Sequence, residues 1–348
     1  MDELLQQLLD NISDAYDKSA GYIVYDLLKA FAIVMSDYDS EFERLKTLYD
    51  VDKLTGALLA TYVYQRKGIE RNPATHAIGT LLVTGSGTIN KGDLFETDSG
   101  IQFQATETKV ISGSGTVAIA AVLAGEIGNV GANQITQMPV TLSGITSVTN
   151  PAPTYDGFAA ESDDSLRERY YLAVRTPATS GNVNHYKQWA TSVAGVGGVK
   201  VYPLSRGDNT VTLVIIDQNK QPASAALVAA VQDYIDPNSE GLGYGQAPIG
   251  AFCYVESAVA LSINVSVTIS KDSNYTDAQV HDLVVRALTD YLKSIAFESN
   301  YVSYAAVGNV IYNCEGVLDY SNLKINNTTN NVSIGDKQVA VLGGVTIA

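Results

Sequence analysis

From Val24 to Tyr49 the apolar positions keep a strict beat. Val24, Leu28, Phe31, Met35, Tyr38, Phe42, Leu45 and Tyr49 alternate spacings of four and three. That is a heptad seam lasting nearly four heptads, and it predicts a helix of about 27 residues, about 40 Å long. Asp37, Asp39, Glu41, Glu43, Arg44 and Lys46 fall off the seam. Its aromatic content suits a bundle with wide gaps better than a two-stranded coil. Two coverings are open. The seam packs inside its own domain, against Leu4, Leu5, Leu8 and Ile12, or it packs against another chain. One short preceding helix is too small to cover about 40 Å of apolar stripe, which favours the second.

The periodicity then changes. A short helix is expected from Leu54 to Tyr64, ending near Gly68, and the stretch Arg71–His76 breaks the pattern. From His76 to Asn150 the text is short β runs and glycine turns. Ile101, Phe103 and Ala105 alternate with Gln102, Gln104 and Thr106, the mark of a half-buried strand. The Pro- and Gly-bearing stretch Asn150–Gly157 reads as a connector. After it, helix and strand patterns alternate: a helix from near Ser162, another over Val183–Val193, and helices in "PASAALVAAVQDYI" and "TDAQVHDLVVRALTDYL". Strands are expected in "GGVKVYPL", "NTVTLVIID" and "VLDYSNLKI", with a long strand or bent pair in "AFCYVESAVALSINVSVTIS". The predicted class is an α+β multidomain chain. A helical segment spans 1–72 and a small all-β module spans 73–157. An α+β region spans 158–348, with two ferredoxin-like halves meeting near residue 255.

Composition narrows the function. Lys plus Arg number 22 against 37 Asp plus Glu, a net charge of −15. A duplex-binding protein needs a basic face, so nucleic acid is not an expected partner, and anionic membrane surfaces are disfavoured for the same reason. No apolar run reaches about 18 residues, so no membrane span is expected, and the acidic start "MDELLQQLLDNISD" is not a signal peptide. Two cysteines, Cys253 and Cys314, make no disulfide framework and read as buried thiols of a protein folded in a reducing cytosol.

The densest charge cluster, "ESDDSLRERYYLAV", holds four carboxylates and two arginines between Glu161 and Arg169. A helix start accounts for it. Ser162 or Asp163 caps the first turn, Asp163 and Asp164 sit where the helix dipole favours negative charge, and Arg167 and Arg169 reach back to them. Leu166, Tyr170 and Val174 form the expected buried stripe. Paired-carboxylate chemistry would want a histidine or a phosphate cradle nearby, and none is local. His76, His185 and His281 are far apart and fit no zinc spacing. "GLGYG" (Gly241–Gly245) lacks the ending of a phosphate loop and reads as a turn-rich loop. No catalytic residue, cofactor or metal site is expected.

Four segments in order carry a resemblance: "KGDLFETDSGIQFQAT", "AGEIGNVGANQIT", "YDGFAAESDDSLRERY" and "SGNVNHYKQWATSVAGVGGVKVYP", continued by "QAPIGAFCYVESAVALSINVSVTI". Together they resemble the baseplate J-like proteins of contractile phage tails and phage-tail-like bacteriocins, over roughly residues 65 to 270. Family members often carry a glycine pair before the acidic helix start, where this chain has Gly157 alone. The resemblance implies a structural, non-enzymatic wedge subunit assembled in the host cytoplasm and resident in the tail baseplate. It would pair with copies of itself and with an I-like wedge protein, form a sixfold ring around the hub, meet the sheath initiator, and pass the contraction trigger to the sheath. It also implies that N-terminal helices join an inter-subunit bundle, which would make Val24 to Tyr49 the bundle strip. A competing reading is a tyrosine-rich adhesin recognising surface glycan, although the tyrosines scatter and no repeat appears. A third is a hydrolase using Asp163 with Glu161.

Overall fold

A computed structural model describes residues 2–176 and 178–348. The chain divides into two compact units. One comprises the residues up to Arg71 together with Ser162–Tyr170, and the other comprises Asn72–Glu161 and Tyr171–Ala348.

The first unit is helical. Helices α1 (Asp2–Asp10), α2 (Ile23–Thr47) and α3 (Gly56–Lys67) are joined by the opening turns of α4 (Asp163–Arg175). The heptad seam does form one helix, but α2 ends at Thr47, so Tyr49 lies beyond it. Arg44 and Lys46 stand in its last turn, where cations suit the helix dipole. Gly68 closes α3 in the left-handed conformation, its N–H donating to the Tyr64 carbonyl at 2.7 Å. Leu166 and Tyr170 of α4 are buried as expected, while Val174 is exposed.

In the second unit, residues 78–149 form a six-stranded antiparallel sheet. Its strands are β1 (Ile78–Ile89), β2 (Leu94–Thr97), β3 (Gln102–Ala105), β4 (Lys109–Ala121), β5 (Ile135–Gln137) and β6 (Ile145–Thr149), ordered β5-β2-β3-β4-β1-β6. Alternation dictates the core. Phe103 and Ala105 point inward while Gln102 and Gln104 stay exposed, and Leu81, Val83, Phe95, Val117, Ile119 and Ile135 complete the sealed interior. The two ends of the strand order are tied by one side chain. Asn150, fully buried after β6, accepts the Gln134 and Ile135 N–H groups at 2.9 and 2.8 Å. Its amide donates to the Gly131 and Ala152 carbonyls at 2.7 and 2.9 Å. All four of its hydrogen-bonding positions are thereby used.

The stretch from Asn150 to Gly157 is built into this module. Thr154 is buried, accepting the Val130 N–H at 2.8 Å and donating to the Gly128 carbonyl at 2.6 Å. Asn129 and Gly157 exchange two hydrogen bonds, at 2.7 and 2.9 Å, so two glycine-marked segments far apart in sequence meet. A Cβ on Gly157 would come within 2.6 Å of the Gly125 carbonyl oxygen, which is why glycine stands there.

The rest of the unit is α+β in two halves. Helix α5 (Val183–Ser192), β7 (Val196–Pro203), β8 (Thr210–Asp217), α6 (Ala225–Ile235) and β9 (Phe252–Ser257) build a sheet ordered β7-β8-β9. Then β10 (Val259–Lys271), α7 (Asp277–Ser294), β11 (Tyr301–Val302), α8 (Tyr304–Tyr312), β12 (Val317–Ile325), β13 (Val332–Ser333) and β14 (Gln338–Ile347) follow. They give a sheet ordered β12-β10-β14 and a small β11-β13 ribbon. The long strand text thus breaks at Ala258 into two strands of different sheets. Each half is a three-stranded version of the expected layout. The core of the first joins β8 to α5 and α6, and that of the second joins β10 to α7 and α8. Strand β8 is buried on both sides because Val214 and Ile216 pack on Ala258, Ala296 and Val339 of the second half. An uninterrupted apolar run in its sequence follows from that. Helix α7 opens with a reciprocal capping box between Thr276 and Gln279.

Candidate interface surface

Helix α2 carries the candidate site. In the chain alone, Phe31, Tyr38 and Phe42 are 61%, 69% and 59% exposed, and Met35, Leu45 and Tyr49 are also exposed. Val24 and Leu28 are half-buried. Helix α1 does not lie along the seam. Its Leu5 and Leu9 pack with Ala32, alongside Tyr25 and Leu28, one stripe around from the seam. Only Leu28 belongs to both stripes. The Ile12 proposed to help cover the seam is not part of that cluster. Ile23, Leu27 and Val34 are exposed on the far side and widen the strip. At about 100° per residue the uncovered apolar arc is roughly a third of the helix circumference. A soluble helix with such an arc normally packs it on something.

The charges beside the strip are arranged unevenly. Arg44 pairs with Glu41 at 2.6 Å, and Lys46 pairs with Glu43 while its ammonium lies 4.8 Å above the Phe42 ring. Lys29 lies 5.9 Å above the Tyr25 ring. Asp37 and Asp39 have no ion pair among the described residues.

The residues of the acidic cluster make hydrogen bonds and ion pairs that tie local elements together. Ser162 caps α4, its hydroxyl oxygen accepting the Ser165 N–H at 3.2 Å. Asp163 stands in the first turn of α4 as expected, and its carboxylate also reaches the start of α3. Its carboxylate accepts the Gly56 N–H at 3.1 and 3.0 Å and pairs with Arg71 at 2.5 Å. Thr55, the residue before α3, makes no side-chain cap of its own, so a carboxylate from over a hundred residues away supplies it. These partners, the Gly56 N–H first and then Arg71, hold the Asp163 carboxyl below its ordinary range. Asp164 pairs with Arg167 at 2.7 Å, as its spacing suggested. Arg167 also donates to the Val51 and Leu54 carbonyls at 3.1 and 2.9 Å, and Arg169 to the Glu70 carbonyl at 3.2 Å. Glu161 is buried and accepts the Asn72 N–H at 3.0 Å.

No group of three or more His, Cys, Asp or Glu that could hold a metal ion occurs among the described residues. His76 bonds the Ala121 carbonyl at 2.9 Å, His185 stacks on Trp189 at 4.0 Å between ring centres, and His281 lies 3.4 Å from the Val345 carbonyl. Burial pushes the Cys253 thiol up to about 12 and raises that of Cys314, so both are poor nucleophiles. No described helix is long and apolar enough to cross a membrane.

Two features escaped the sequence. A cavity of about 480 Å³ lies between the end of β10, the start of α7 and the end of β14, floored by Ile269, Val280 and Ile347, with Lys271 and Asp277 paired at 2.9 Å on its wall. The Asp217 carboxyl is pushed up to about 6, first by burial; the Gln221 and Asn219 N–H groups oppose the rise and Asp156 adds to it. No local motif marks either one, because both depend on elements distant in sequence.

Comparison with known proteins decides the family. The Baseplate J-like protein barrel domain matches residues 80–157, the Baseplate J-like central domain residues 178–257, and the Baseplate J-like protein C-terminal domain residues 263–348. The chain belongs to the Baseplate J-like family. Membership places it among the structural proteins of phage baseplates, and its six-stranded sheet is the family's barrel domain. A family relative, the phage-like element PBSX protein XkdT of Bacillus subtilis (strain 168), is 34% identical over 345 residues, 99% of this chain and 96% of that one. The uncharacterized protein YqbT of the same organism is 35% identical over 347 residues, 99% and 97% of the two chains. Baseplate protein gp47 of Escherichia phage Mu is 32% identical over 219 residues, 58% of this chain and 59% of its own. A chain in the cryo-EM structure of the anti-feeding prophage baseplate aligns at a TM-score of 0.42 with 10% identity, covering 98% of this chain and 90% of that one. The three family domains all fall within the second compact unit, and α1, α2 and α3 lie outside every matched range.

Proposed function

We propose that this baseplate protein is a wedge subunit without catalytic activity, and that it works through surfaces offered to neighbouring subunits. The exposed α2 strip is the observation that carries the reading. A helix with a third of its circumference apolar and uncovered is half of a bundle, and the other half comes from another chain. The proposed division of labour follows the sequence reading. Residues 1–72 supply the bundle and 73–157 the barrel. Residues 158–348 supply contacts between copies, in two halves meeting near residue 255.

On this reading the subunit assembles with itself and with an I-like wedge protein into a sixfold ring around the hub. The ring meets the sheath initiator and relays the contraction trigger to the sheath. The particle is a contractile phage tail or a phage-tail-like bacteriocin, assembled in the host cytoplasm. A mechanical relay needs interfaces with two packings of similar energy. Co-expression with the neighbouring tail proteins, followed by the mass of what co-purifies, tests the reading. A heteromeric complex with more than one copy of this chain is expected. A monomer that turns over a substrate would overturn it.

The adhesin reading has less support. Among the described residues no strongly exposed aromatic lies on the barrel strands, and those outside α2 are scattered along the chain.

A further inference from the structure

We propose that the exit of the barrel, residues 156–159, is a clasp on the first α+β half, and that its grip depends on one proton held between two carboxylates of different domains. The segment is tied on both sides. Towards β1, the Thr75 hydroxyl oxygen accepts the Phe158 N–H at 2.9 Å, and the Thr75 N–H donates to the Phe158 carbonyl at 3.0 Å. Towards the half, Asp156 accepts the Ser224 hydroxyl, and the Gln218 side chain donates to the Ala159 carbonyl at 3.0 Å. Ser224 is the N-cap of α6 and also accepts the Leu227 N–H at 3.0 Å. The buried Phe158 ring lies against Gly195, where an added Cβ would meet the ring at 3.1 Å and Leu227 at 3.3 Å. Asp156 holds its place at a φ of 63°, a conformation that Asp and Asn tolerate better than most residues.

Charge at the clasp is out of balance. Asp217 ends β8, one residue before Gln218, and its carboxylate accepts the Gln221 N–H at 2.8 Å. Two charged groups face it, Asp156 from the end of the barrel and Lys293 from the last turn of α7. Lys220, in the same turn as Asp217, gives its ammonium to the Gly197 carbonyl. One lysine thus answers two half-buried carboxylates, and the three groups come from three different family domains. Burial raises both carboxyls; Ser224 opposes the rise at Asp156, and the Asp156 charge adds to it at Asp217. The proton therefore sits on Asp217, while Asp156 keeps its charge and its bond to Ser224. Once Asp217 ionises, two negative charges repel across the seam between domains. The clasp is tight in acid and weakens as pH rises through about 6.

Hydrogen exchange of the full-length chain tests this, read by mass spectrometry from about pH 5 to about pH 8 and corrected for the intrinsic exchange rate. Peptides covering residues 155–160 and 218–227 should lose protection at least about fivefold as pH rises, while those of β3 and α8 change by less than about twofold. D217N and D156N should each flatten this slope. The double variant should do no more than either one, because the repulsion needs both charges. Asn suits the left-handed position of Asp156, so D156N should keep the wild-type circular dichroism. S224A should lower protection at every pH and keep the slope. Protection at the clasp that is flat with pH, a loss as large in β3 as at the clasp, or a slope that survives D156N overturns the proposal. The last result would leave Asp217 titrating without its partner across the seam. None of these outcomes bears on the α2 strip, so the interface reading stands or falls separately.

Discussion

The barrel and helix α2 use apolar residues to opposite ends. In the barrel every second residue of a strand points inward, and Phe95, Phe103, Leu81 and Ile119 are sealed within one chain. In α2 the apolar beat is at least as regular, yet Phe31, Tyr38 and Phe42 stay open to solvent. Regular patterning therefore tells which face wants covering, and closure within the chain tells whether it has been covered. The barrel closes through Asn150, whereas α1, with nine residues against twenty-five, lies beside the seam of α2 and leaves it open.

The sharpest way to break this contrast is a charge on the strip. Phe42→Asp should abolish co-purification with the other baseplate proteins. It should change the chain's own unfolding free energy by no more than about 0.5 kcal/mol, as expected of an exposed position. A variant that assembles normally, or one that unfolds the barrel, would erase the distinction between the two regions.

Asn150→Ala attacks the other side of the comparison. It leaves the Gln134 and Ile135 N–H groups and the Gly131 carbonyl short of a buried partner, at about 1–3 kcal/mol for each group left unsatisfied. Chemical denaturation should show a loss of about 3 kcal/mol or more, with barrel amides losing hydrogen-exchange protection. Exchange in α2 should be unchanged. A loss below about 1 kcal/mol would mean that the strand ends hold together without Asn150.

Asp217 gives a pH-dependent version of the same contrast, confined to the second unit. Its folded carboxyl titrates at about 6, above the ordinary value of about 3.9. The folded state therefore holds a proton that the unfolded state has released. Stability from this group is complete below about pH 4 and is lost as pH rises through about 6. Asp217→Asn removes the ionised form, and its advantage over wild type should grow to about 2 kcal/mol at pH 8 and vanish near pH 4. Thermal melts across that range check it, and an advantage independent of pH would contradict the assignment.

The smallest expected effect has the opposite sign. Asp163 sits below its ordinary value because the Gly56 N–H and Arg71 favour its charged form. Its contribution is present above about pH 4 and fades as pH falls. Asp163→Asn should lower the melting point of the helical unit slightly at pH 7, converging with wild type in acid. Equal melting points at pH 7 would mean that α3 does not depend on this carboxylate.

How much of this was legible follows from how local each signal is. The heptad beat, the Gln/Phe alternation of β3 and the acidic start of α4 lie within a few residues of what they determine, and the α+β class followed from them. The four ordered segments from Lys91 to Pro203 carried the family. Asp163 was legible only in part: its place in the first turn of α4 is local, while the partners of its carboxylate, Arg71 and Gly56, lie 92 and 107 residues upstream. The same distance hid the Asn129–Gly157 exchange and the β5 closure by Asn150. Tyr49 continued the beat past the helix end because a period carries no stop signal, and no glycine or proline marks Thr47.

The central claim is that the strip of α2 is covered by other subunits in the particle. Hydroxyl-radical footprinting of the free chain and of assembled baseplates measures this directly, since Phe31, Met35, Tyr38 and Phe42 are all readily oxidised when exposed. The account predicts fast oxidation of all four in the free chain and strong protection in the baseplate, with exposed barrel positions such as Val110 serving as an internal reference. Equal oxidation of the four side chains in both states would contradict it.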